Sequence, residues 1–213
     1  MPFLVGAVAR MDDVDTGLFY SSRFRAGRTW NGYEHNRLMR NDGLDSSGRL
    51  RFTEVAAAVG VDDIRDGRGL ATLDFDNDGD LDILVTNRPV AQDQPDSLSH
   101  AILYRNNIGQ KRNWLAVELT GRKCNRDAIG AIVTIQTADL SQLRYLSAGS
   151  GHASQHGDRL YFGLDQSDYV DRLSVRWPNG ETESFEHIKS CQLVRIEEGR
   201  GMVVGSLPGR SSR

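Results

Sequence analysis

The nine residues Asp74-Phe75-Asp76-Asn77-Asp78-Gly79-Asp80-Leu81-Asp82 place five carboxylates on alternate positions of one short stretch. Acids that close repel one another unless a cation sits among them. Carboxylate oxygens at loop positions one, three, five and nine, with the backbone carbonyl of position seven, supply the six or more hard oxygen ligands that Ca²⁺ takes at roughly 2.3–2.6 Å. The candidate metal ligands are therefore Asp74, Asp76, Asp78, Asp80 and Asp82, and the candidate ion is Ca²⁺. Gly79 permits the sharp turn that folds the acids inward. The alternative is a solvated acidic turn, because Asp, Asn and Gly are frequent turn residues for reasons unrelated to metals. Five acids at period two exceed what a turn requires.

The first half of this pattern is shared with the EF-hand loop, which needs a bidentate Glu at its twelfth position; here that position is Val85. The flanks exclude an EF-hand as well. Leu70-Ala71-Thr72-Leu73 and Ile83-Leu84-Val85-Thr86 are short apolar runs, partly β-branched, that read as strands. The expected unit is strand-loop-strand, with Asp82 closing the ligand shell.

The 213 residues suffice for one large or two small cores. A net charge of -3 argues against nucleic acid or an anionic membrane as partner. Arg23, Arg25 and Arg28 read as solvated surface. No stretch approaches the 18 or so apolar residues of a membrane span, and Met1–Val8 is too short for a secretory signal, so no signal peptide is visible. Cys124 and Cys191 allow at most one disulfide, and their pairing is left open. No Asn-x-Ser/Thr acceptor occurs.

Leu38-Met39-Arg40-Asn41-Asp42 returns 65 residues later as Leu103-Tyr104-Arg105-Asn106-Asn107, with the acidic loop between the copies. Such a period suits propeller blades and related arrays. Phe52–Val61 reads as a helical turn or two ending at Gly60, and Arg88–His100 as a polar loop. From Asn113 onward the texture changes to short alternating strands: 114–119, 131–137, 143–146, 160–162, 173–177 and 193–197. Trp177-Pro178-Asn179-Gly180 is a hairpin turn, and 205–213 reads as a frayed tail. Six strands so spaced predict a sandwich or partly open barrel.

Asp74-x-Asp76-x-Asp78-Gly79-x-x-Asp82 resembles the calcium loop of FG-GAP or VCBS repeats, the blades of integrin-type propellers. Asn113-Trp114-Leu115, Asn125–Ala131, Ser147–Gly151, Leu160–Leu164 and Val175–Gly180 are similar to an ASPIC/UnbV domain, and the pairing in this order resembles CRTAC1-like proteins. The resemblance implies an all-β chain: 1–28 unassigned, an FG-GAP/VCBS-like region over 29–110 forming an incomplete propeller, a β-sandwich-like ASPIC/UnbV domain over 112–199, and a tail over 200–213. It further implies an extracellular, cell-surface or periplasmic, non-enzymatic interaction or adhesion module with a protein or carbohydrate ligand. With so few blade strands, the second half is expected to cover the blade unit, or the chain to self-associate. Asp12-Asp13-Val14-Asp15-Thr16-Gly17 is acidic without the full loop pattern and reads as a solvated turn.

Catalysis is weighed against this reading. Ser150 with His152, or Ser154 with His156, would make a nucleophile-base pair, yet neither an orienting acid nor an oxyanion hole is identifiable. Gly149–Ser154 lacks the third glycine of a phosphate loop and reads as a turn or bulge. His35, His100 and His187 match no metal-ligand spacing, and Trp177 reads as core. The competing function class is an enzyme or biosynthetic accessory protein of the UnbV type, with a polar pocket in the C-terminal domain around His152, Ser154 and His156.

Overall fold

The computed structural model describes residues 35–65, 67–87 and 101–205. Among them the chain is all-β, with one short helix and one 3-10 turn between the strands. The stretches Met1–Val8, Asp12–Gly17, Arg23–Arg28, Arg88–His100 and 206–213 lie outside the described residues. Two compact units result. One takes the chain up to Gly69 together with Val85–Ile102, and the other takes Leu70–Leu84 together with the chain from Leu103.

In the first unit, β1 (Met39–Leu44) and β2 (Leu50–Glu54) form an antiparallel hairpin exposed along its whole length. Its turn is set by Asp45, whose Oδ1 accepts the backbone N–H of Ser47 and of Arg49. The helical stretch predicted from Phe52 is shorter than expected. β2 claims residues 52–54, and Glu54 Oε1 accepts the Ala56 N–H at 2.7 Å to start α1 (Ala56–Val59). Gly60 ends α1 as expected, and does so at φ 77°, a left-handed stop.

β3 (Gly67–Leu73), β4 (Asp82–Asn87) and β5 (Ala101–Tyr104) form a three-stranded sheet in the order β3-β4-β5. The acidic stretch is the connection from β3 to β4, the strand-loop-strand unit that its flanks imply.

The second unit contains a β-sandwich built from β6 (Asn113–Thr120), β7 (Ile132–Gln136), β8 (Ser141–Tyr145), β9 (Leu160–Asp165), β10 (Tyr169–Arg176), β11 (Thr182–Lys189), β12 (Gln192–Glu197) and β13 (Gly201–Gly205). One sheet runs β11-β10-β7-β8 and the other β13-β12-β6-β9, with β6 and β12 parallel. Val133, Ile135, Leu173 and Val175 of the first sheet and Leu115, Val117, Phe162 and Val194 of the second meet in one buried core. Alternation along β6 sends Trp114 and Ala116 to the opposite face, where they cluster with Leu193 and Tyr161. A strand buried on both sides needs a continuous apolar run, and Trp114-Leu115-Ala116-Val117 is one.

β11 escapes sequence patterning because of its eight residues Phe185 and Ile188 are the apolar ones, and β13, which the sequence leaves in the tail, is a five-residue edge strand paired with β12. The turn at Trp177–Gly180 forms as expected, with Gly180 at φ 90° and its N–H donated to the Trp177 carbonyl at 2.9 Å, while Trp177 is buried in the core. Cys124 and Cys191 are both free thiols.

Candidate metal centre

The acidic loop closes on itself through its own amides. Asp74 Oδ1 accepts the Asp78 N–H and Oδ2 the Gly79 N–H, each at 3.0 Å; Asp78 Oδ1 accepts the Asp80 N–H at 3.2 Å. Asn77 and Gly79 take the positive φ values, 56° and 98°, that such a tight turn needs. The turn brings carboxylate oxygens of Asp74, Asp76 and Asp78 within 4.8 Å of one another, a grouping that can hold a metal ion.

Asp80 and Asp82 lie outside that trio and are the most buried of the five acids, 7% and 1% exposed. Asp82 fastens the loop to its surroundings: Oδ2 accepts the Phe75 N–H at 2.9 Å and Oδ1 the Asn106 N–H at 2.8 Å. Asp80 Oδ2 accepts the Gln110 N–H at 2.9 Å, with Gly109 so close that a Cβ there would stand 2.6 Å from Asp80 Cβ.

Two carboxylate oxygens, Asp78 Oδ2 and Asp80 Oδ1, are buried without a hydrogen-bond partner. A buried acceptor left unpaired is costly, and for an ionised carboxylate more so. These atoms fit a cation, which is the partner that hard, anionic oxygens in this loop lack. Arg105 partly fills the role: its Nη2 lies 2.7 Å from Asp76 Oδ2 and 4.0 Å from Asp78 Oδ2.

Crowding shows in the acids' proton affinity. Burial pushes Asp80 up to about 6, helped by the charges of Asp78 and Asp82 against the pull of the Gln110 amide. Asp74 is raised by burial and by Asp78, against its hydrogen bonds from Tyr161, Gly79 and Asp78. A bound cation reverses this preference by stabilising the ionised forms.

Tyr161, Trp114 and Arg159 hold the loop from the sandwich, and spacing within 74–82 carries no signal for them. Tyr161 donates its hydroxyl to Asp74 Oδ2 at 3.0 Å; burial and the Asp74 charge push its pKa up and keep the proton on. Arg159 Nη1 donates to Asn77 Oδ1 at 3.1 Å while its Nε donates to Glu118 Oε1 at 2.5 Å.

Ser150 and His156 are engaged elsewhere, and Ser154 Oγ is buried without a hydrogen-bond partner. His156 Nδ1 accepts the Thr72 N–H at 3.0 Å, and Ser150 Oγ accepts the His156 backbone N–H at 2.8 Å. Gly149–Ser154 is a turn, closed by a Gly151–Ser154 bridge. His35 bonds to the Asp62 carbonyl and His187 stacks on Tyr169 at 4.4 Å, both structural roles.

Cartilage acidic protein 1 of Xenopus tropicalis is 34% identical over 119 residues, 54% of this chain and 17% of that protein. The Homo sapiens protein of that name is 32% identical over 133 residues, 62% of this chain and 19% of its own length, and the Mus musculus protein 32% over 119 residues. The matches thus span less than a fifth of these relatives' length. Residues 121–203, which run from the loop before β7 into β13, match the family model described as ASPIC and UnbV, so the sandwich that braces the acidic loop carries this chain's likeness to that family.

Proposed function

We propose that loop 74–82 binds Ca²⁺ and that the chain serves as a calcium-binding, non-enzymatic interaction or adhesion module in an extracellular setting. The observation that carries this reading is the convergence of the Asp74, Asp76 and Asp78 carboxylates, one of whose oxygens, Asp78 Oδ2, is buried without a hydrogen-bond partner, as is Oδ1 of the neighbouring Asp80. Asp74, Asp76 and Asp78 would hold the ion by their side chains, with Asp80 and Asp82 completing or bracing the shell. The likeness of the loop to FG-GAP repeats, with 29–110 as the repeat region, and of the chain to cartilage acidic protein 1 supports a binding role. The ion's contribution is structural: it offsets the mutual repulsion of five acids, which links folding to metal affinity.

Ca²⁺ should raise the melting temperature by about 5–10 °C at 100 times its Kd, since that ratio corresponds to about 2.7 kcal/mol. Mg²⁺ should do much less, because it demands a small octahedral shell and sheds water reluctantly. Equal stabilisation by the two ions, or none by either, contradicts the reading. Asp78→Ala should abolish the difference.

A further inference from the structure

Residues His156–Tyr161 meet the acidic loop and the strand entering it at four points. Thr72 donates its N–H to His156 Nδ1 and accepts the Gly157 N–H at its carbonyl, both at 3.0 Å; Arg159 donates to Asn77 at 3.1 Å and Tyr161 to Asp74 at 3.0 Å. The same segment forms one wall of a cleft of about 550 Å³ that Leu143–Ser147 and Thr72–Asp74 also line. The cleft lies between the edge strands of the two sheets, β8 and β9, which Gln142 tethers by donating Nε2–H to the Gly163 carbonyl at 2.6 Å. Arg159 is itself fixed, because Glu118 takes its Nε on one oxygen and Arg195 Nε on the other at 2.6 Å.

An ionised carboxylate has about four acceptor positions. The Asp78 amide occupies one on Asp74 Oδ1, and the Gly79 amide with the Tyr161 hydroxyl occupies both on Oδ2. Asp74 is thereby left with a single open position, on Oδ1, aimed by bonds that include one from the cleft wall. We infer that Tyr161 and Arg159 are positioning residues for the cation, and that the cation site and the 156–161 wall of the cleft form one coupled unit. Filling the loop stiffens the wall, and by reciprocity whatever orders the wall raises the loop's affinity for the ion. This rests on the calcium reading above.

The test titrates Ca²⁺ into the full chain by calorimetry and follows amide hydrogen exchange with and without the ion. Tyr161→Phe keeps the ring packed on Trp114 and removes the hydroxyl, and should weaken Ca²⁺ binding several-fold, because Asp74 loses a bond that aims its open position. Asn77→Gly suits the positive φ at that position and removes the acceptor of Arg159, so it should also weaken binding. Ca²⁺ should slow exchange several-fold at 156–161 in the parent and fail to do so in Tyr161→Phe. Unchanged or tighter binding by both variants, or exchange at 156–161 indifferent to the ion, overturns the inference while leaving the calcium site standing. A parent that takes up no Ca²⁺ overturns the calcium reading and this inference with it.

Discussion

Trp114 leaves no room for a side chain on Gly79: a Cβ built there would stand 2.0 Å from Trp114 Cε2 and 2.2 Å from Nε1. Gly79 is thus required twice, for its φ of 98° and for this contact. Gly79→Ala should cost about 2–5 kcal/mol, the sum of a strained backbone and an overpacked site. Urea unfolding reads the loss directly. A variant within 0.5 kcal/mol of the parent would mean that the indole moves aside freely.

Arg105 competes with any cation for Asp76 and Asp78. Its side chain is 56% exposed and free to swing away, so its pairing with Asp76 is of the weak surface kind. Arg105→Gln should tighten Ca²⁺ binding by up to about fivefold. It should also lower the stability measured in EDTA, where the guanidinium is the nearest counter-charge. Calorimetry on the variant at low and moderate salt checks both signs, and weaker Ca²⁺ binding would show that Arg105 assists the ion.

Asp80 sets a pH dependence in the metal-free protein. Its folded pKa of about 6 lies above the ordinary aspartate value of 3.8, so the folded state holds the extra proton between these values. Stability in EDTA should therefore be greatest below pH 4 on this account and decline as pH rises towards 6. Asp80→Asn should flatten that decline. Ca²⁺ should reverse it, because the ion binds the deprotonated acids and loses affinity as pH falls through 6.

Glu198 gives the opposite slope at a place remote from the loop in sequence. Burial disfavours its charge, yet the N–H groups of Cys124, Arg122 and Lys123 converge on Oε2 at 2.7–3.0 Å and outweigh it, bringing the pKa to about 2 from 4.5. Asn179 of the hairpin turn donates to the other oxygen at 2.6 Å. Its contribution is full above pH 4.5 and lost as pH falls towards 2. Glu198→Gln should lower the melting temperature at pH 7 and remove this acid limb, as thermal scans from pH 2 to 7 would show.

Local spacing by itself determined the acidic loop, the strands on either side of it, the helix end at Gly60, the Trp177–Gly180 turn and six of the eight sandwich strands. Each of these is written in a periodicity or a turn chemistry that spans a few residues. β11 was invisible because its two apolar residues, Phe185 and Ile188, are three apart and break period two where His187 takes a φ of 54°, and β13 because its two glycines and short length read as tail. The tertiary structure alone decided which acids converge and what braces them. Period two made Asp74, Asp76, Asp78, Asp80 and Asp82 look equivalent, whereas amides from Gln110 and Asn106 draw Asp80 and Asp82 aside. The hydroxyl that aims Asp74 comes from Tyr161, 87 residues away. No window of sequence encodes that meeting, because it depends on β6 and β9 pairing side by side and on the alternation that turns Trp114 and Tyr161 to the same outer face of their sheet.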